Sequence, residues 1–314
     1  MLIRAEHDHF RGDFCRRSGL LWSDTTSITH VKRLLPIACV LFALAGFAAD
    51  QATTPAEQYQ ALLKEFSTAA RTNWEPTTDV ERSNAVARMD QILQKLLALA
   101  QSNPKDPIAL DALTQMVTIE YWLTAYSSHP GWGKESPQTR AIALLLRDHL
   151  ESDKLGEACK RVHYGFRPEC ETFLRTVLEK NPHRDVRGQA CLQLPQFLLG
   201  RLEKLDVLKA QPQLTRRYEI LFGKDYLEAL EQGRAKVTKE AEALYEQAIE
   251  KYSDVKVPYA STVGEMSQTE LFEIRRLGIG MQAQEMEGVD QDGRQFNLSD
   301  YRGKVVLLYF WSEF

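Results

Sequence analysis

The chain has 314 residues, enough for one large domain or two ordinary ones, and a formal net charge of −4. Acidic and basic residues are mixed along it, so no concentrated positive field is available for nucleic acid or an anionic membrane surface, and no nucleic-acid partner is expected. At 44% apolar and 26% charged, the composition is that of a globular protein.

Residues 1–30, MLIRAEHDHFRGDFCRRSGLLWSDTTSITH, show no hydrophobic period. They are expected to be a disordered or non-coding leader, with translation starting at Val31. Residues 31–49, VKRLLPIACVLFALAGFAA, have the three parts of a secretory signal peptide. Lys32 and Arg33 form a basic start, Leu34 to Phe47 is uncharged and apolar, and Gly46 and Ala48 precede a cut after Ala48. The apolar run is shorter than the roughly 20 residues a spanning helix needs. A membrane contact is expected only if this signal stays uncleaved. The mature chain is then exported, to a periplasm or cell envelope, into oxidising surroundings. Of the five cysteines, Cys159, Cys170 and Cys191 would remain in it.

Residues 50–275 are expected to be a helical domain, because apolar residues recur there at steps of three and four. The first helix opens at Pro55 and runs to about Thr72, with Tyr59, Leu62, Leu63 and Phe66 on one stripe. Asp79 to Ala100 is the clearest, with Ala85, Met89, Ile92, Leu93, Leu96, Leu97 and Ala100 on one face. Asn103-Pro104 breaks it, and Pro107 to Tyr126 resumes. Further helices are predicted over 136–150, 168–180, 184–205 and 209–220, with a break at Asn181-Pro182. Lys224 to Ser253 reads as one long amphipathic helix with Leu230, Val237, Ala241, Leu244, Ala248 and Tyr252 on its stripe. The breaks follow no fixed period, so a solenoid-like stack and an irregular set of helical hairpins both stay open.

Cys159, His163, Cys170, His183 and Cys191 fall close together in sequence. Structural zinc sites use close cysteine pairs, and this spacing is irregular. Buried thiols, or a Cys159–Cys170 disulfide across the loop from His163 to Pro168, are the readings that remain. No nucleophile elbow, phosphate loop, H-E-x-x-H helix or dinucleotide glycine motif is present. The sequence nominates no catalytic, cofactor-binding or metal-binding residue, and no cofactor.

After Pro258 the pattern changes. Met286–Asp290 and Arg294–Asn297 flank Gln291-Asp292-Gly293, a hairpin signal. Leu298 to Tyr301 reads as a short turn, Gly303 ends it, and Val305 to Trp311 is an unbroken apolar run like a strand buried on both faces.

Residues 278–314 resemble the thioredoxin-like redoxins, of the alkyl hydroperoxide reductase/thiol-specific antioxidant type or the exported thiol-disulfide reductase type. The resemblance is carried by Gly280, Ala283, Asp290, Asp292 and Gly293, and then by LSDYRGKVVLLYFW from Leu298 to Trp311. Gln284 stands where the family usually has proline. NPHRDVRGQACLQL at 181–194 and ELFEIRRLGIG at 270–280 also resemble the N-terminal part of bacterial exported redoxins.

The resemblance implies a fold that is mainly α: a helical domain followed by an α/β thioredoxin-like segment cut short after its hairpin and first central strand. It implies an exported thiol-disulfide oxidoreductase or antioxidant, with a disulfide-bearing protein or a peroxide as substrate. In the family the strand runs into a C-x-x-C pair, and no such pair is in this chain. The chain is therefore expected to be inactive by itself. The place of the missing pair just after Phe314 suggests a selenocysteine codon read as a stop. The alternative function is a helical protein-binding module with a vestigial redoxin tail.

Overall fold

The computed structural model describes residues 53–74, 78–126, 136–258, 261–278, 280–290 and 292–309. The expected leader at 1–30 and the signal at 31–49 lie outside them. Among the described residues, no helix is long and apolar enough to cross a membrane. Contacts divide the chain between Met281 and Gln282.

The described residues are mainly α. The first unit holds α1 (Pro55–Trp74), α2 (Asp79–Ser102), α3 (Pro107–Tyr126), α4 (Pro137–Asp148), α5 (Gly156–Val162), α6 (Pro168–Lys180) and α7 (Arg184–Ala210). It continues with α8 (Pro212–Phe222), α9 (Lys224–Gln232), α10 (Arg234–Tyr252), a two-stranded clip β1 (Lys256–Val257) and β2 (Ser261–Thr262), and α11 (Val263–Arg276).

Local chemistry starts many of these helices. Thr78 with Glu81 and Thr262 with Glu265 form reciprocal capping boxes at α2 and α11. Pro137, Pro168 and Pro212 occupy the first turns of α4, α6 and α8, where a missing N–H costs nothing.

Helix α7 takes part in all three hydrophobic clusters. Val186, Ala190, Leu194, Phe197 and Leu198 join the core built by α1 to α6. Cys191 and Leu192 pack with Tyr245, Ala248 and Leu271 of α10 and α11. Leu202, Leu205 and Leu208 meet Phe166, Leu227 and Leu230. With apolar residues facing three clusters, α7 is the axle on which the others pack, while Glu203, Asp206 and Lys209 stay exposed on its C-terminal half. Pro195 lies inside it without ending it.

One charge of α7 is buried. Arg201 is only 4% exposed. Its Nη2 pairs with Glu171 Oε2 at 2.6 Å, and its Nη1 donates to Tyr226 Oη at 3.0 Å. Tyr226 Oη in turn donates to the Phe166 carbonyl at 2.7 Å. Arg175 bridges Glu171 and Glu240, both at 2.7 Å, and ties α6 to α10. Burial by itself would raise the Glu171 carboxyl, but the Arg201 and Arg175 guanidinium groups outweigh it and hold it below the usual range.

Two expectations need correcting. The single helix over Lys224–Ser253 is two, α9 and α10, separated at Gly233. The apolar stripe crosses the break because its two parts serve different clusters: Leu227 and Leu230 pack under α7's C-terminal half, Tyr245 and Ala248 against its middle. Glycine supplies the weak point.

The second correction is in residues 282–309, the described part of the second unit. Here β3 (Glu287–Val289) and β4 (Gln295–Asn297) pair antiparallel, with Gly288 opposite Phe296. Asp290 Oδ1 accepts the N–H groups of Asp292 and Arg294, both at 2.9 Å, and Gly293 takes φ +80°. That left-handed position is one glycine enters at little cost. A 3₁₀ turn follows at Leu298–Tyr301. The buried strand expected from Val305 is absent over 305–309: these residues pair with nothing, and Val305, Leu307 and Tyr309 are exposed. Phe310 and Trp311 lie outside the described residues. A strand buried on both faces needs neighbours on both edges, and β3–β4 is the whole ladder among the described residues of this unit.

Two outcomes follow. Glu171→Ala strands the Arg201 charge and is expected to cost about 3 kcal/mol in urea unfolding. Arg201→Met costs less, because the Glu171 it leaves is 26% exposed and can reach water. Because the folded Glu171 titrates below its unfolded value of about 4.3, the wild-type advantage over Glu171→Ala is full above that pH and shrinks as the pH falls beneath it. In the second unit, Leu307→Lys is expected to lower light scattering of the purified protein and leave its helical circular dichroism unchanged.

Candidate functional site

From Gln196 onward, one face of α7 forms the floor of a trough of about 860 Å³. Gln196, Leu199, Gly200 and Glu203 of α7 line it. One wall is α11, through Glu270, Glu273, Ile274 and Leu277. Those residues recur at steps of three and four, so a single helical face looks into the trough. The other wall is α8 with the turn before α6, through Phe166, Arg167, Arg217, Tyr218 and Phe222.

The α8 wall is aromatic and basic. Phe166 meets Tyr218 edge-on at 5.2 Å between centroids and Phe222 at 4.9 Å. The Arg167 guanidinium lies 5.3 Å from the Phe222 centroid. Tyr164, on the same turn, is 57% exposed and stacks on His163.

The α11 wall is acidic. Glu270 is held by two donors, Gln196 Nε2 at 2.9 Å and Tyr245 Oη at 3.2 Å, which join α7, α10 and α11. Partial burial together with Glu270 and Glu203 raises the Glu273 carboxyl above its ordinary range. Tyr245 is raised by burial and by Glu270, so its hydroxyl stays a donor.

Gly200 is an unexpected residue for this floor. Glycine in a helix interior is worse than alanine by about 1 kcal/mol. Close packing usually explains such a choice, yet a Cβ here would meet no atom within 4 Å. The space above it is open trough.

The clustered cysteines and histidines of the sequence are occupied separately. His163 Nδ1 donates to the Lys160 carbonyl at 2.7 Å, and burial lowers its pKa to about 4. His183 Nε2 donates to the Glu151 carbonyl at 3.0 Å. Cys191 Sγ donates to the Leu244 carbonyl at 3.4 Å, and Cys170 Sγ reaches Gln138 Oε1 at 4.0 Å. Cys159, Cys170 and Cys191 are all buried, and no disulfide joins them. Among the described residues, no three His, Cys, Asp or Glu side chains come together as metal ligands do. Burial pushes the Cys159 thiol up and the Cys191 thiol up to about 12, the reverse of an activated nucleophile.

No family model, curated protein or solved structure matches the chain. The trough is therefore read from its own chemistry. It offers carboxylates, aromatic faces and guanidinium groups, a set suited to recognition. Sequence reasoning named none of these residues for a site. The signals were there in part: Gly200 interrupts an apolar helix, and Glu270, Glu273, Ile274 and Leu277 follow a helical period.

The buried thiols make a direct test. Under native conditions at pH 8, iodoacetamide is expected to leave Cys159, Cys170 and Cys191 unlabelled in peptide mass maps, and to label all three in denaturant. Native labelling at any of them would contradict the burial described here.

Proposed function

We propose that the chain is the leading part of an exported redoxin of the thiol-disulfide oxidoreductase or antioxidant type, carried on a helical unit. The observation behind this reading is the run LSDYRGKVVLLYFW from Leu298 to Trp311. It is supported by the order of the elements: a D-x-D-G hairpin before the run, and one turn of 3₁₀ helix at the start of it. Redoxin chemistry needs a thiolate, or a selenolate, at a helix N-terminus, where unpaired N–H groups lower its pKa. That group attacks a substrate disulfide or peroxide, and a second thiol resolves the product. The three described cysteines are buried in the helical unit, so none of them fills either role. A disulfide-bearing protein or a peroxide is the proposed substrate of the complete domain.

The trough favours a second reading, in which the helical unit is itself a protein-binding module. The two are compatible, since a redoxin gains selectivity from a separate docking surface.

The gene tests the first reading. If the reading holds, the gene carries, in frame with Leu298–Trp311, a redox pair of two cysteines or of selenocysteine and cysteine, followed by a thioredoxin-type cis-proline loop. A frame that closes with no redoxin remnant downstream overturns it.

A further inference from the structure

The shape of the trough narrows its ligand. Its α7 lining runs from Gln196 to Asp206, about 15 Å of helix at 1.5 Å per residue. An extended chain advances about 3.3 Å per residue, so four or five residues lie along it. A volume of about 860 Å³ is within the range of ligand sites. The open space over Gly200 lets a backbone pass close to α7, where any larger side chain would stand in the way.

Charge narrows it further. Glu203, Glu270 and Glu273 come from two helices and face one space, and among the described residues none of them is in an ion pair. Their mutual repulsion is visible in the raised Glu273 carboxyl. Of the two cations that α7 and α10 bring to the trough, Lys204 and Arg234, Arg234 is already committed to Asp206 and Glu231. Along α8, by contrast, the lining is mostly aromatic rings, which complement apolar side chains.

We propose that the trough binds an extended basic segment of a partner protein, with a Lys or Arg side chain against Glu203, Glu270 and Glu273 and its backbone over Gly200. The inference deepens the reading of the helical unit as a protein-binding module. It stands apart from the redoxin reading of residues 278–314.

The test uses the purified full chain and fluorescent pentapeptide pools, read by anisotropy. One pool fixes the central residue as Lys or Arg, one as Glu or Asp, one as Ala, with the other positions randomised. The basic pool is expected to bind about tenfold more tightly than the acidic one, with a preference that shrinks as salt rises. Glu273→Lys removes that preference. Gly200→Leu abolishes binding and leaves the thermal midpoint unchanged or higher, because leucine is the better helix former. If Gly200→Leu fails to fold, Gly200→Ala with Glu273→Gln replaces it, and unchanged binding of the basic pool then overturns the proposal. Equal binding of all pools that is still sensitive to Gly200 overturns the basic-segment assignment and leaves a binding module. Binding of no pool overturns both.

Discussion

Arg201 sits on a buried face of α7, where its charge cannot reach water, and the Arg201–Glu171 pair is how the fold satisfies it. Stranding one partner of such a pair costs far more than the pair contributes, so every element that supplies a partner is held in place. Glu171 fixes α6, Tyr226 fixes α9, and the Phe166 carbonyl fixes the turn before α6. Arg175 extends the same chain of contacts to Glu240 on α10. The aromatic cluster around Phe166 and the α9–α10 break at Gly233 lie on either side of this network.

The trough follows from the same arrangement. In its N-terminal half α7 is enclosed by α5, α6 and α10. In its C-terminal half it is covered by α8 and α9 on one side and approached by α11 on another, and the gap between them is lined by whatever those helices present. On α11 that is acid, held in position by Gln196 and Tyr245. On α8 it is aromatic. Gly200 leaves the floor of this gap open at the expense of helix stability.

Residues 282–309 obey a different logic. The hairpin and the 3₁₀ turn are made by contacts a few residues apart: Asp290 with Asp292 and Arg294, and Asn297 with Asp300. Such elements form from local chemistry alone. The apolar run from Val305 has no such local contacts, and over 305–309 it is exposed.

Much of the helical unit was legible beforehand. Pro107–Tyr126 and Pro168–Lys180 have the limits read from proline and periodicity, and the stripe from Met89 to Ala100 is the buried face of α2. Proline, capping residues and the 3.6-residue period act within a turn or two, so the sequence by itself determined where most helices begin, end and face. It did not determine the split of α9 from α10, because one apolar stripe continues through Gly233 and only the partners differ. Nor did it determine the trough, whose carboxylates, rings and glycine come from α7, α8, α11 and the turn at 163–167. Packing brings those segments together, and which charges then share a space is settled by the tertiary structure, since no short-range rule relates Glu203 to Glu273.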